Sequence, residues 1–440
     1  MYLRTPKRYQ AKGRRRYLFN FKWLWLYLLA PLIIVPASLA YYYRAELAPI
    51  VSNSVNSILT RMPRAMPTAT PTIPAADLQR IFGDSVRTGK INNALSALNG
   101  LLDAAPNDVY LHTTLVRMTL LRGDPTDRKH LDKAVAAADA AINANPEVAD
   151  GWIMMALALN ERGEPRAALP YALRARDLNA DDPMLGAVTA RIYADLGRYD
   201  EATTLVEQAI DKAKASRPLN TIALAFGYWV QGDILTNTNG AAAEGAYEEA
   251  WRAALTDANV PLSFIAYRLY FVYLTENRDQ DVLNVLAQAA ERDHDDDMNS
   301  YYVGQVYYRA QNWEKARPAY AQCLDLNPDN LRCLRRMAQV NYQLNAYATA
   351  ADYAKRAIAK GTQEPEAFLV AGLSLIEGKD RNCGEAITLL QKGYLLNEGR
   401  TDVADTVKAS QRDQFERGLT SCNARPIQPT TAPAATATPQ

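Results

Sequence analysis

One short stretch, residues 299–330, constrains the fold of this chain more than any other part of the sequence. Its apolar residues recur at three- and four-residue steps on both sides of a polar turn, and Pro328 ends the second run. This pattern predicts two short amphipathic helices, with the small residues Gly304 and Ala316 where the helices must approach closely. Because such a unit has an apolar face that it cannot bury alone, we expect it to stack on copies of itself.

The pattern of this unit recurs along most of the chain at a period of about 34 residues. Several copies follow one another at constant spacing, with small residues again at the close-packing positions. The sequence therefore predicts an all-α solenoid over residues 77–400, with about nine helical pairs and with eight or ten also compatible. The landmark residues are Gly89, Ala94 and Pro106; Trp152, Ala156, Gly163, Ala168 and Ala175; Ala190, Tyr193, Gly197, Ala202 and Ala209; Gly304, Tyr307, Ala316, Tyr320 and Pro328; and Ala338, Ala350 and Ala357.

These landmarks resemble those of the tetratricopeptide repeat, a helix–turn–helix module, over about residues 75–400. Some units depart from the pattern, through insertions at residues 123–130 and 235–245, a bulky Tyr270, and extra residues around Cys383. The departures leave the helical register open at those places without changing the predicted fold. The resemblance implies a right-handed superhelix in which the first helix of each pair lines a concave face, where peptide ligands lie.

The resemblance also implies a ligand surface, because the first helices carry arginines beside tyrosines in an otherwise acidic body. Guanidinium groups pair well with carboxylates, and tyrosine offers rigid contact area. The basic clamp with which some members of the family hold a peptide's terminal carboxylate is not reproduced. The alternative is that the tyrosines are inter-helix core and that the arginines are solvated or paired with neighbouring acids. The residues concerned are Tyr267, Arg268, Phe271, Tyr301, Tyr302, Gln305, Tyr308, Arg309, Arg332, Arg335, Arg336, Gln339 and Tyr342.

The start of the chain predicts a membrane anchor. Residues 1–22 form a basic tail with eight cations and no acid, and residues 23–43 follow without a charge and with aromatic residues at both ends. That length and pattern suit a single transmembrane helix whose cationic flank stays in the cytoplasm and whose following body lies outside. A signal peptide cleaved near Ala40 is the alternative, and it also exports the body.

The other segments are assigned from composition. Residues 44–76 form a juxtamembrane segment and a Pro/Thr-rich linker, and residues 401–424 are expected to form a helix that caps the last repeat. Residues 425–440 are expected to be a disordered tail. Outside the basic tail the chain carries a formal charge of about −7, which argues against nucleic acid as a partner because phosphate binding needs a basic face.

The chain has four cysteines, and two disulfides are expected. Cys383 opens the second helix of the last pair and Cys422 ends the expected capping helix, so an antiparallel packing of the two helices brings the sulfurs together. Cys323 and Cys333 also fall on adjacent antiparallel segments. An exported location permits both bonds, although the sequence alone allows three pairings, or four packed small residues without any bond.

No catalytic constellation is visible in the sequence. His112, His130 and His294 have no nucleophile near them, and neither a phosphate-binding glycine loop nor an HExxH motif is present. The aspartates around His294 are expected to be solvated in a loop between two repeats. We therefore expect no enzymatic activity, no metal and no cofactor.

These observations predict a non-catalytic scaffold. It would bind a protein or peptide partner on its concave face and help to assemble an extracytoplasmic envelope complex. The alternative is an accessory subunit that recruits substrate for an envelope enzyme or for secretion or glycan-assembly machinery. Self-association is compatible with either function.

Overall fold

The computed structural model describes residues 73–122 and 128–426, where the chain forms nineteen α-helices and no strand. The all-α prediction is therefore confirmed for this part of the chain. The basic tail, the predicted membrane segment 23–43, most of the linker and the end of the C-terminal tail lie outside the described residues. Within them, no helix combines the length and the hydrophobicity that crossing a bilayer requires.

The first eighteen helices form successive hairpins, and a single helix follows them. We call the odd-numbered helices from α1 to α17 first helices and the even-numbered ones second helices. In chain order the helices are α1 (Ala75–Arg87), α2 (Ile91–Ala104), α3 (Val109–Leu120), α4 (Arg128–Ala144), α5 (Ala149–Glu161), α6 (Pro165–Leu178), α7 (Pro183–Asp195), α8 (Tyr199–Ala215), α9 (Thr221–Thr238), α10 (Gly240–Leu255), α11 (Ser263–Thr275), α12 (Asp279–Arg292), α13 (Asp297–Arg309), α14 (Trp313–Leu326), α15 (Leu331–Gln343), α16 (Tyr347–Ala359), α17 (Pro365–Glu377), α18 (Cys383–Gly399) and α19 (Asp405–Ser421).

Local sequence explains where many of these helices begin and end. Asp182 and Asn330 precede α7 and α15, and each side chain accepts hydrogen bonds from two backbone N–H groups of the first turn. Within several hairpins, one residue just after the first helix has a positive φ, which glycine and asparagine adopt more readily than other residues. The same turn conformation therefore recurs along the stack, at Gly89, Gly163, Gly197, Asn277, Gln311 and Asn345.

The core of the stack lies between neighbouring helices. Each helix packs on the next one along the chain, and first helices of adjacent hairpins also contact each other, as α5 does α7 and α7 does α9. These close approaches depend on small side chains at the repeat landmarks. The fully buried alanines at these positions include Ala94, Ala168, Ala202, Ala316, Ala350 and Ala386.

Two disulfides join neighbouring helices, with the pairings expected from the sequence. Cys323 near the end of α14 is bonded to Cys333 at the start of α15, with 6.4 Å between the Cα atoms. Cys383 at the start of α18 is bonded to Cys422 just after α19, with 5.6 Å between the Cα atoms. The second bond ties down α19, whose buried Phe415 and Leu419 pack on the last hairpin.

The start of the stack folds back to contact its middle. The backbone N–H of His294, in the loop between α12 and α13, donates to the carbonyl of Gly89 at 2.8 Å. The N–H of Asn92 donates to the Asp295 carboxylate at 2.9 Å, and Arg122, just after α3, forms a two-pronged ion pair with Asp293. We call this set of interactions the return contact.

The return contact corrects the prediction that the acids of this loop are solvated. Asp293 and Asp296 are buried. Asp296 accepts hydrogen bonds from the hydroxyls of Ser263, at 2.5 Å, and Tyr267, at 2.6 Å, while Asp293 pairs with Arg122. The physical reason is that distant segments cover the loop and supply the donors that a buried carboxylate requires.

Candidate functional site on the first helices

The predicted ligand surface lies on α11, α13 and α15, and part of it is core. Tyr267, Tyr301 and Tyr302 are buried. The ring centroids of Tyr267 and Tyr302 are 4.7 Å apart, which is typical of packed aromatic pairs. Adjacent first helices approach so closely that these rings fill the space between them. Their burial favours the alternative in which these three tyrosines are inter-helix core.

Phe271 on α11 is the aromatic residue of the predicted set that faces solvent. Half of its surface (50%) is exposed. Its ring makes edge-on contacts with Tyr270 and Tyr302, at centroid distances of 5.0 and 6.0 Å. Both tyrosines are buried, so the exposed Phe271 ring packs against two side chains that the core holds in place. A large apolar side chain held in this way loses little conformational freedom when it enters a partner's pocket.

Most of the predicted arginines are engaged within the protein. The Arg268 guanidinium pairs with Asp233 at 2.8 Å, and that of Arg335 pairs with Glu364 at 3.2 Å. Arg336 stacks over the Tyr308 ring, 4.5 Å from its centroid, and donates to Gln339. These interactions support the alternative in which the arginines bind neighbouring side chains.

The polar residues of the predicted set are bonded in the same way. Gln305 accepts from the Tyr320 hydroxyl at 2.6 Å, Gln339 donates to Glu366 at 2.9 Å, and the Tyr342 hydroxyl donates to Glu377 at 2.8 Å. Each of these bonds joins side chains of two helices. These hydrogen bonds between helices hold the side chains of the first-helix surface in fixed positions.

The two remaining arginines of the set differ in exposure, since Arg332 is half-buried and Arg309 is exposed. The Arg332 guanidinium is 5.9 Å from the centroid of the Tyr301 ring. Arg309, at the end of α13, is exposed, and its guanidinium makes a long 3.4 Å contact with the carbonyl of Leu274. Leu274 lies one turn beyond Phe271 on α11, so an exposed cation and an exposed aromatic ring occupy neighbouring positions on this surface.

The sequence analysis missed a network of half-buried charged side chains on α7, α9 and α11, of which it had named only Arg268. Asp233 on α9 pairs with both Arg191 and Arg268, and it accepts a hydrogen bond from the Tyr247 hydroxyl at 2.6 Å. Arg191 also lies over the Trp229 ring, 4.5 Å from its centroid. The sequence separations of 42 and 35 residues are near the repeat period, and they are the signal that could have revealed the network.

This network forms one wall of an open groove. The groove has a volume of about 960 Å³, and Phe271 and Val272 lie on it together with the acids Glu244 and Glu276. Its dimensions and openness suit an extended chain better than an enclosed small substrate. Phe271 therefore stands at the edge of a depression that could accept a neighbouring segment of the same partner.

His112 has a structural role in its hairpin. His112 Nε2 donates to the carbonyl of Pro106 at 2.8 Å, and Trp152 Nε1 donates to the carbonyl of Pro146 at 2.9 Å in the equivalent place of the next hairpin. His112 thus fills a landmark position of the repeat. Within the described ranges, no three histidine, cysteine, aspartate or glutamate residues are arranged to hold a metal ion.

Comparison with known proteins agrees with this architecture. Residues 304–365 match the family model described as "Tetratricopeptide repeat". Over these residues the chain matches the tetratricopeptide repeat family. The matched residues run from α13 to the start of α17 and so include most of the predicted ligand surface.

The chain is also similar to the curated protein "Cellulose synthase operon protein C" from Pseudomonas fluorescens (strain SBW25). The two are 23% identical over 348 residues, which is 74% of this chain and 26% of the relative. The chain thus spans about a quarter of the length of the relative that it matches.

Solved structures that the chain matches include the APC/C hetero-tetramer Cut9-Hcn1, at 14% identity and a TM-score of 0.47, covering 78% of this chain and 58% of that one. Yeast Tom70 matches at 14% identity and a TM-score of 0.39, covering 79% and 81% of the two chains.

Proposed function

We propose that the chain is a non-catalytic scaffold that binds a protein or peptide partner on its first helices and helps to assemble an extracytoplasmic envelope complex. The observation that carries the proposal is the half-exposed Phe271 ring, which stands on buried tyrosines at the edge of the open groove. Rigid exposed aromatic residues beside a depression are the usual anchors of protein interfaces. Arg309 adds a cation next to this anchor and favours a partner segment with an acidic residue beside an apolar one.

The proposed location is outside the cytoplasm, with the chain anchored through residues 23–43 or secreted after cleavage near Ala40. The two disulfides support an oxidising compartment, because cytosolic thiols are kept reduced. The cationic residues before the apolar segment support a cytoplasmic N-terminus. Non-reducing mass spectrometry of the protein from intact cells tests the first point, and four free thiols would contradict it.

The second candidate is an accessory subunit of an envelope enzyme or of glycan-assembly machinery. It is favoured by the similarity to a protein named for a cellulose synthase operon. The same first-helix surface would then hold a component of that machinery. The two candidates differ in which proteins the scaffold captures, so one experiment addresses both.

The experiment is proximity crosslinking in intact membranes, comparing the native protein with a Phe271→Ala/Arg309→Glu variant. These two side chains can be changed with little effect on the fold, because one is half exposed and the other makes only a long contact. Charge reversal at Arg335 or Arg336 is less informative, since it would break the Glu364 pair or the Tyr308 stack. A matched control is Leu255→Ala/Arg166→Glu, which changes exposed residues of α10 and α6.

We expect specific partners to be lost from the Phe271→Ala/Arg309→Glu variant and kept by the control. Enzymes of glycan synthesis among the lost partners would favour the second candidate, and other envelope proteins the first. Partners that persist in both variants would place the binding surface elsewhere. An empty capture from well-expressed native protein would contradict the scaffold proposal.

A further inference from the structure

A second cavity lies at the return contact, away from the open groove. It has a volume of about 310 Å³ and is bounded on one side by α1 and α3 and on the other by the loop between α10 and α11 and by the end of α12. This volume is at the lower end of the range of about 300–1,000 Å³ for small-molecule sites. The cavity exists only because the first hairpins fold back on to the middle of the stack.

The walls of this cavity are mostly apolar. Phe82 and Val86 come from α1, Met118 from α3, and Val260 and Leu262 from the loop before α11. Val260 and Leu262 are buried, so this part of the wall is held by the core. A ligand with an apolar body would gain free energy by displacing water from such a surface.

Three arginines also line the cavity, opposed by only two aspartates, so the lining carries one net positive charge. The Arg122 guanidinium is neutralised by its ion pair with Asp293. That of Arg292 donates to the backbone carbonyls of Asp257 and Val260, at 2.7 and 2.9 Å. Because carbonyls bear only partial charges, Arg292 lacks a full counter-charge from these bonds.

Arg117 on α3 has the weakest local partner of the three. Its guanidinium donates to the Thr114 hydroxyl at 3.1 Å, and no carboxylate of the described residues lies within ion-pair distance of it. Burial lowers the pKa of Arg117, and Tyr110 on α3 and Asp150 on α5 oppose this shift only in part. Burial also lowers the pKa of Arg292. Asp257 opposes the shift of Arg292 only in part, and among the described residues neither cation has a carboxylate within ion-pair distance. A bound anion would offset the cost of burying these two charges.

We propose that this cavity binds a small amphipathic carboxylate, with the carboxylate group at Arg117 and the apolar body against Phe82, Val86 and Met118. The guanidinium fork of Arg117 matches the two oxygens of a carboxylate. The size of the cavity excludes a folded domain, and the single net charge disfavours polyanions. The proposal is independent of the scaffold function, because Arg117, Phe82, Val86 and Met118 lie on α1 and α3 and not on α11, α13 or α15.

The test is isothermal titration of the full chain, purified in detergent, with isocaproate, with the neutral isocaproamide and with N-acetylleucine at millimolar concentration. Isocaproamide keeps the apolar body and removes the charge. N-acetylleucine has the same branched body and carboxylate and adds a peptide group, so it represents the end of a peptide. Tighter binding of N-acetylleucine would assign the site to a peptide terminus, and tighter binding of isocaproate to a free acid.

Arg117→Met is expected to weaken carboxylate binding on the order of tenfold or more, because a charge-assisted pair is lost. Arg166→Met, at an exposed position on α6, is the matched control and should bind normally. Ala258→Trp, at an exposed position on the cavity rim, should block binding without changing the charge. Equal binding of acid and amide, normal binding by Arg117→Met, or no binding of either acid by the native chain would overturn the proposal.

Discussion

At Gly304 the two helices of one hairpin come so close that no side chain fits between them. A Cβ atom built at this position would lie 2.5 Å from the ring of Tyr320, which is fully buried and hydrogen-bonded to Gln305. The Tyr320 ring cannot move without breaking its hydrogen bond to Gln305. The sequence pattern identified this approach correctly, because a small residue opposite a large one is a local feature of the repeat.

Replacing Gly304 by alanine should therefore destabilise the hairpin by about 1–3 kcal/mol, the usual cost of overpacking a core. The matched control is Gly245→Ala in α10, where a Cβ would meet nothing within 4 Å. There the better helix propensity of alanine should leave stability unchanged or raise it by up to about 1 kcal/mol. Hydrogen exchange measures the difference, in α13 and α14 for Gly304→Ala and in α9 and α10 for Gly245→Ala, and equal effects of the two substitutions would contradict this account.

At the scale of the helices, the two disulfides hold different elements. The Cys323–Cys333 bond joins neighbouring helices of adjacent hairpins across a separation of 10 residues. The Cys383–Cys422 bond spans 39 residues and holds α19 on α18. Helix α19 has no following hairpin to pack on among the described residues, so it depends on fewer contacts than the internal helices.

Loss of the longer bond should be the more damaging of the two. Loop-closure entropy predicts a stabilisation of about 4 kcal/mol for the Cys383–Cys422 bond and about 3 kcal/mol for the Cys323–Cys333 bond. We expect Cys383→Ala/Cys422→Ala to raise the exchange rates of α19 amides strongly. Cys323→Ala/Cys333→Ala should have a smaller effect, confined to α14 and α15. A larger effect from the shorter bond would show that local packing, not chain entropy, sets the stabilisation.

The sequence predicted hairpins, turns and disulfides because each depends on residues close together in the chain. It predicted the ligand surface less well. The tyrosines of α11 and α13 have the residue type of an interface, and only the distance between adjacent helices decides that Tyr302 is buried while Phe271 is exposed. The return contact joins Arg122 and Asp293 across 171 residues, and it depends on the rotation accumulated over several hairpins. No pattern within a single hairpin of the sequence predicts the size of that rotation.

At the scale of the whole stack, the stability of the return contact depends on the protonation of the buried Asp293 carboxyl. Burial raises the pKa of Asp293 from 3.8 to about 6, although Arg122 opposes the shift. Burial also raises the pKa of Asp296, which lies in the same loop. The Asp293 carboxyl therefore binds a proton more tightly in the closed stack than in an open one.

Acidification should for this reason strengthen the return contact. The contribution of Asp293 is fully present below pH 3.8 and is lost as the pH rises through about 6. We expect the amides of α1 and α2 to be better protected near pH 5 than near pH 7, after correction for intrinsic exchange rates. Asp293→Asn, which cannot titrate, should reduce this dependence. An unchanged pH profile in that variant would assign the effect to other groups of the loop.

The return contact also has a mechanical consequence. An open solenoid lengthens under tension like a spring, because each repeat touches only its neighbours. Here the hydrogen bond from His294 to Gly89 joins the two ends of the segment from α2 to α12, and the Arg122–Asp293 pair joins the two ends of the segment from α4 to α12. A load applied at α1 would be shared by the bridge, and the intervening hairpins could extend only after it ruptured. Gly89 has no substitute at this junction, since its φ is +67° and a Cβ there would lie 2.9 Å from the carbonyl of Glu291.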